Sequence, residues 1–293
     1  MSTRRAATRT LDLVPPLLSP TVFTCPTARG AVYHHGAHVI DWTPRGQNPV
    51  LWMSGSTHLD ADSAIRGGIP ICWPWFGAGL RGVASPLHGI ARLEEWRLVR
   101  TVTTPDAVTA RYLLIDARPD KCDFPYRLTY DVSFGREFSA MLTVRNTGIR
   151  RFDFEEALHT YLAVADVRKI AITGLDGAEF LDRAAGHELG PHQQVGDIAI
   201  TEETDRIYHS TGEIRVVDPS GQRQIIIRRT GSQDAVVWNP WIEKARSMPD
   251  FGDDEWTGMI CVETANVGEH AVTLNPGKEY TMGFTLEVAD LAG

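Results

Sequence analysis

The chain has only four cysteines, Cys25, Cys72, Cys122 and Cys261, and no two of them stand in a C-x-x-C spacing. That scarcity removes a zinc ribbon and a disulfide framework as organising devices, and a reduced, cytoplasmic setting is expected. No apolar run approaches the ~18 residues of a membrane span, and the first residues lack the apolar core of a secretory signal. No membrane partner is therefore expected. Positive charge is short as well: 29 Lys and Arg face 37 Asp and Glu, for a formal charge of -8. Nucleic acid demands a basic face, so it is not expected as a partner either. Internal repeats, low-complexity linkers and shifts of composition are missing. The simplest organisation is one domain over residues 16–293, preceded by a flexible arginine-rich tail over residues 1–15.

What the 293 residues do contain is 43% hydrophobic and 23% charged side chains, enough to bury a large core. The apolar positions alternate. Val108, Ala110, Tyr112 and Leu114 follow the break at Thr104-Pro105-Asp106, and Leu128, Tyr130, Val132 and Phe134 run up to Gly135-Arg136. Beyond that turn, Phe138, Ala140, Leu142 and Val144 continue the same period of two, which is the signature of hairpins. Further hairpins are predicted at Asp218-Pro219-Ser220-Gly221 and Asn275-Pro276-Gly277, where Pro and Gly supply turn dihedrals. Only residues 241–248, stopped by Pro249, read as a short helix. The fold class is all-β, a sandwich.

Two ionisable groups interrupt this pattern. Glu263 lies in the apolar run Met259-Ile260-Cys261-Val262, and His159 lies in Glu155-Glu156-Ala157-Leu158-His159-Thr160-Tyr161. Read as one strand, residues 152–162 put Phe152, Phe154, Glu156, Leu158, Thr160 and Leu162 on the core face, with His159 and Tyr161 opposite. An imidazole and a carboxyl on two strands can serve as general acid and base. Either one alone is equally well explained as a hydrogen-bonded core group or an arginine's partner. A second constellation is Arg66-Gly67-Gly68-Ile69-Pro70-Ile71-Cys72-Trp73-Pro74-Trp75-Phe76-Gly77, followed by His88-Gly89-Ile90-Ala91-Arg92. Gly and Pro at this density make an irregular loop. Its aromatic faces and guanidinium groups suit a sugar bearing a phosphate, and a structural plug at one end of a sandwich is the alternative.

Taken in order, these segments, with Val237-Trp238-Asn239-Pro240-Trp241 and Val262-Glu263-Thr264-Ala265-Asn266, resemble the glucose-6-phosphate 1-epimerases of the aldose 1-epimerase superfamily. The resemblance runs from about residue 20 to 290. It implies a galactose-mutarotase-like β-supersandwich that interconverts the anomers of a hexose 6-phosphate with no cofactor and no metal. By motif, His159 and Glu263 are the implied catalytic residues. Arg66, Arg92, Asp205 and His88 are the implied substrate-binding residues, the arginines toward phosphate. Leu87 departs from relatives that carry glutamine before the His-Gly pair. A monomer whose partner is a small sugar phosphate is expected.

Other features are given bland readings. Lys244 is read as a solvated lysine on the short helix, and Asp250, Asp253, Asp254 and Glu255 as a solvated loop without calcium-loop spacing. His34, His35 and His38 are read as strand residues on opposite faces rather than metal ligands. Glu155 and Glu156, as strand neighbours, diverge and cannot flank one glycosidic bond. Two rival functions remain open at this point: a non-catalytic carbohydrate-phosphate-binding sandwich and a glycoside hydrolase or lyase.

Overall fold

The computed structural model describes residues 19–116 and 120–291. The expected tail over residues 1–15 lies outside them. Two eight-stranded antiparallel sheets dominate. One runs Ala171–Thr173, Ile214–Asp218, Arg223–Thr230, Glu279–Asp290, Phe138–Asn146, Tyr126–Gly135, Ala107–Ile115 and Arg97–Thr103. Its alternation is the one read from sequence: Leu128, Tyr130, Val132 and Phe134 are fully buried, as are Phe138, Ala140, Leu142 and Val144. They pair across the hairpin as Leu128 with Val144, Tyr130 with Leu142, Val132 with Ala140 and Phe134 with Phe138. A one-residue slip would send all of them to solvent, so this register is strongly specified.

The other large sheet carries the site. Its order is His192–Gln193, Glu179–Asp182, Thr204–His209, Asp234–Asn239, Met259–Asn266, Glu156–Leu158 and Ile71–Cys72, and Tyr161–Ala163 also pairs with Met259–Asn266. Asp234–Asn239 and Met259–Asn266 are buried at every residue. Strands covered on both faces read as continuous apolar runs, and Glu263 stands out of such a run. Leu158, Val237, Ile260 and Val262 from this sheet join Phe138, Leu142, Ile225 and Phe284 from the other in one apolar cluster. Ala157 and Ala265, on the opposite side, join Cys72, Phe76 and Val236 in a second, smaller cluster. Smaller sheets complete the fold: Thr21–Thr24, Ala28–Tyr33 and His38–Pro44 form one, and Phe152–Phe154 with Val272–Leu274 the other.

Three local expectations are corrected. Residues 152–162 form not one strand but three, Phe152–Phe154, Glu156–Leu158 and Tyr161–Ala163, the first paired in a different sheet from the others. The breaks fall where the backbone bonds to the Gly/Pro loop instead of a strand: Glu155 N donates to Pro74 O at 2.9 Å, and His159 N to Pro70 O at 3.0 Å. Asn275-Pro276-Gly277 does turn the chain, with Gly277 at φ 71°, but the flanking strands pair elsewhere and make no hairpin. Finally, His34 and His35 sit in the turn between two strands, not in a strand. His38 is buried with Nε2 at 2.8 Å from Gly67 O, and its burial holds the imidazole down at about 3.

Candidate active site

The helix Trp241–Ser247, the strands Thr204–His209, Asp234–Asn239 and Met259–Asn266, and the loop over residues 65–92 surround a cavity of about 300 Å³. All six residues implied by the sequence resemblance line it: Arg66, His88, Arg92, His159, Asp205 and Glu263. The loop is anchored by backbone bonds, Gly68 N to Trp52 O at 2.7 Å, Tyr161 N to Gly68 O at 2.9 Å and Ile90 N to Trp73 O at 2.8 Å. Glu155 ties it further, its carboxylate accepting from Phe76 N at 3.1 Å and from Gly268 N at 2.8 Å. At Gly89, with φ 79°, a Cβ would collide with Trp73 O, so only glycine lets the two segments lie this close.

His159 and Glu263 are in direct contact. His159 Nε2 lies 3.3 Å from Glu263 Oε1, and both side chains are almost wholly shielded from solvent. His159 Nδ1 and Glu263 Oε2 have no protein partner, so each residue keeps a polar atom for something else. Burial comes first among the causes that push the Glu263 carboxyl well above its ordinary value, and nearby Asp205 pushes the same way while Arg183 and Arg92 oppose. Burial likewise comes first in holding the His159 imidazole well below its ordinary value, and His88, Arg66 and Arg92 add to it. Both shifts favour the neutral form of the group concerned, a protonated carboxyl and an unprotonated imidazole. The His159 ring stacks on Tyr161 at 4.8 Å and meets Trp238 edge-on at 6.0 Å, which fixes its plane.

His88 adopts φ 61°, and its Nδ1 accepts from Gly77 N at 3.3 Å. With Nδ1 an acceptor, Nε2 carries the proton in the neutral ring. Burial, then Arg92 and Arg183, holds this imidazole down at about 3, so it is a neutral hydrogen-bond donor beside His159, 5.7 Å away between ring centres. Asp205 is the opposite kind of group, a carboxyl raised by burial and eased back by Arg183 and Lys244.

The cations differ in how far they are already engaged. Arg66 is tied up: Asp250 takes Nε at 3.1 Å and Nη2 at 3.0 Å, and Nη1 donates to Tyr161 Oη at 2.9 Å. Lys244 is not the plain solvated lysine expected. It lines the cavity and pairs with Glu203 at 2.8 Å. The acidic segment 250–255 is also less bland than its composition, for Asp250 holds Arg66 and Glu255 accepts from Ser54 Oγ, Gly55 N and Gly252 N. Arg92 Nη2 donates to Leu87 O at 2.8 Å, its Nε has no partner, and it forms no ion pair with a described carboxylate. Arg183, which the sequence reading missed, lines the cavity from just beyond the strand Glu179–Asp182 and packs its guanidinium 5.6 Å from the Phe76 ring centre. It too has no carboxylate partner among the described residues. It stands in no motif, so nothing in the sequence separates it from other arginines at strand ends. Leu87, the departure from the family pattern, sits more than half exposed at the cavity mouth.

Comparison with known proteins gives a consistent result. A family profile described as aldose 1-epimerase matches residues 27–287. A Cenchrus ciliaris protein provisionally named glucose-6-phosphate 1-epimerase is 33% identical over 262 residues, 85% of this chain and 78% of the relative. An Escherichia coli protein of the same provisional name is 32% identical over 246 residues, 83% of this chain and 82% of the relative. Among solved structures, one from Salmonella typhimurium, provisionally named a mutarotase, superposes with a TM-score of 0.85 at 27% identity, covering 96% of this chain and 97% of that one.

Proposed function

The chain belongs to the aldose 1-epimerase family and is a sugar mutarotase, and from that premise we propose that its substrate is a hexose 6-phosphate, D-glucose 6-phosphate first, with His159 and Glu263 as its acid and base. The observation that carries the phosphate is the pair of uncompensated guanidinium groups, Arg92 and Arg183, on a cavity wall of a chain whose net charge is -8. The buried Nε of Arg92 is costly to leave without an anion, Arg183 stands exposed on the same cavity, and a dianionic phosphate satisfies two arginine forks at once. Arg66, already neutralised by Asp250, positions Tyr161 and shapes the wall, and Lys244 adds to the local field. The provisional names of the relatives agree with this substrate.

Mutarotation moves two protons around one carbon. The anomeric hydroxyl loses its proton to Glu263 while His159 delivers a proton to the ring oxygen, and the bond from C1 to that oxygen breaks. The open-chain aldehyde turns about the C1–C2 bond. His159 then takes back the proton from the former ring hydroxyl as that oxygen attacks the other face of C1, and Glu263 returns its proton to O1. The net protonation of the pair is unchanged over a cycle. Both reacting oxygens hang from C1, which suits two proton carriers only 3.3 Å apart. Burial favours the neutral form of each group, so the imidazolium that protonates the ring oxygen forms by taking the Glu263 proton across the 3.3 Å contact. Neutral His88 donates to a sugar oxygen, Asp205 accepts from hydroxyls, and Trp238 offers an apolar face to the ring C–H groups.

The test of substrate class is a pair of variants, Arg92→Ala and Arg183→Ala, assayed with glucose 6-phosphate and free glucose. A charge-assisted hydrogen bond contributes about 1.5–3 kcal/mol, so kcat/KM for the phosphate should fall roughly 10- to 100-fold per arginine while the rate on glucose moves little. Equal losses on both sugars would contradict phosphate recognition. A binding protein without catalysis would shift its Tm with glucose 6-phosphate and leave the anomer exchange rate untouched.

A further inference from the structure

We propose that a second site, away from the cavity, binds a divalent transition-metal ion of the zinc class through His209, His270 and Glu269, with Asp234 orienting the two imidazoles. None of these four residues lines the catalytic cavity. Asp234 is fully buried at the start of the strand Asp234–Asn239, directly opposite His209 in the register. Its Oδ1 receives Nδ1 of His209 and Nδ1 of His270, each at 2.8 Å, and its Oδ2 accepts from Val267 N at 3.0 Å. A carboxylate only accepts, so both Nδ1 atoms must carry their hydrogens. The tautomer of each neutral ring is thereby set, and both Nε2 atoms hold lone pairs. A carboxylate bonded to Nδ1–H while Nε2 faces outward is the outer-sphere arrangement that orients metal-binding histidines.

The third donor comes from the 3₁₀ turn Gly268–His270, which follows the strand Met259–Asn266. Glu269 Oε1 lies 3.2 Å from His209 Nε2. A lone pair and a carboxylate oxygen at that distance repel unless a proton or a cation stands between them. Donor atoms about 2.0–2.1 Å from a tetrahedral ion are about 3.4 Å apart, close to the spacing found. One nitrogen of each ring and a Glu269 oxygen all lie within 4.8 Å of one another, and the rings are perpendicular with centres 4.9 Å apart. Glu269 is largely exposed, so torsion of its side chain closes the set. Two imidazoles and one carboxylate favour zinc and its neighbours over calcium or magnesium, which prefer all-oxygen sites. With water in the fourth position, the ion would tie the 268–270 turn to the strand Thr204–His209, the same strand that carries Asp205 at its far end.

The test is isothermal titration of the untagged, chelator-treated full chain with zinc chloride, read beside thermal unfolding with and without zinc. The expected result is one saturable equivalent per chain and a zinc-dependent rise in Tm. In the His209→Ala/His270→Ala double variant that equivalent and the Tm rise should both be lost. Exposed Glu269→Gln, which leaves the core untouched, should bind roughly 10-fold more weakly, and Asp234→Asn about 10- to 100-fold more weakly. No saturable equivalent in the wild type would overturn the proposal and leave a proton on His209 Nε2 as the occupant of the contact. Unchanged affinity and stoichiometry in the double variant would overturn it equally.

Discussion

At the scale of single residues, the cost of burial decides the chemistry. Glu156 shows this most simply. It is fully buried, Oε1 accepts from Asn266 Nδ2 at 3.1 Å, Oε2 has no partner, and burial pushes the carboxyl up to about 8. Between the unfolded value near 4.5 and about 8, the folded chain therefore binds a proton that the unfolded chain does not, so this residue's contribution to stability declines as pH rises through that window. The slope is about 1.4 kcal/mol per pH unit at most. Glu156→Gln should remove that slope and raise stability at pH 8 by a few kcal/mol at the upper end, measured by denaturant unfolding at pH 5 and pH 8. An unchanged pH dependence would mean that the carboxyl is ionised in the fold. The same reasoning explains what was legible in the sequence. Glu263 and His159 are conspicuous because a charge-bearing side chain in an apolar run needs a reason. Arg183 carries no such contrast, since an arginine after a strand is ordinary until its neighbours are known. The roles of Asp250 and Glu203 as partners of Arg66 and Lys244 join residues far apart in the chain, and no local pattern encodes that.

At the scale of elements, the alternating strands were readable because a period of two leaves one register that buries the apolar set, as the Tyr126–Gly135 and Phe138–Asn146 pair shows. The broken stretch 152–162 was not, because its breaks are made by backbone bonds to Pro70 and Pro74 in another segment. Nor does Asn275-Pro276-Gly277 announce that its flanking strands join different sheets; a turn signal fixes the reversal and says nothing of the partner. The loop over residues 65–92 was recognisable as irregular from its Gly and Pro, and its close approaches make a prediction. Gly89→Ala puts a Cβ into Trp73 O at φ 79°, whereas Gly82→Ala, at φ 68°, meets nothing within 4 Å. The first should cost about 1–3 kcal/mol or more and lower activity by displacing His88, the second about 1 kcal/mol with activity kept. Thermal unfolding and an anomer exchange assay of the two variants check this, and equal effects would show that the close approach to Trp73 is not what holds the loop.

At the scale of the whole molecule, two large sheets share one apolar core, and the loop 65–92 closes over the sheet that carries Glu263, so that a polar pair is shielded from bulk water yet faces a cavity. Shielding strengthens each electrostatic contact there and is what shifts the pair. The all-β architecture was legible from composition and period, while the cavity was not, because it arises from segments as distant as Arg66 and Glu263. The proposed activity rests on that pair moving protons at the anomeric centre. Its most direct test is two-dimensional NMR exchange spectroscopy of the anomeric protons of glucose 6-phosphate, comparing the wild type with Glu263→Gln and His159→Asn variants shown by circular dichroism to be folded. Proton transfer by the pair predicts exchange well above the spontaneous rate for the wild type and a loss of roughly 10²- to 10⁴-fold in each variant. Exchange within a few-fold of wild type in both folded variants would contradict it.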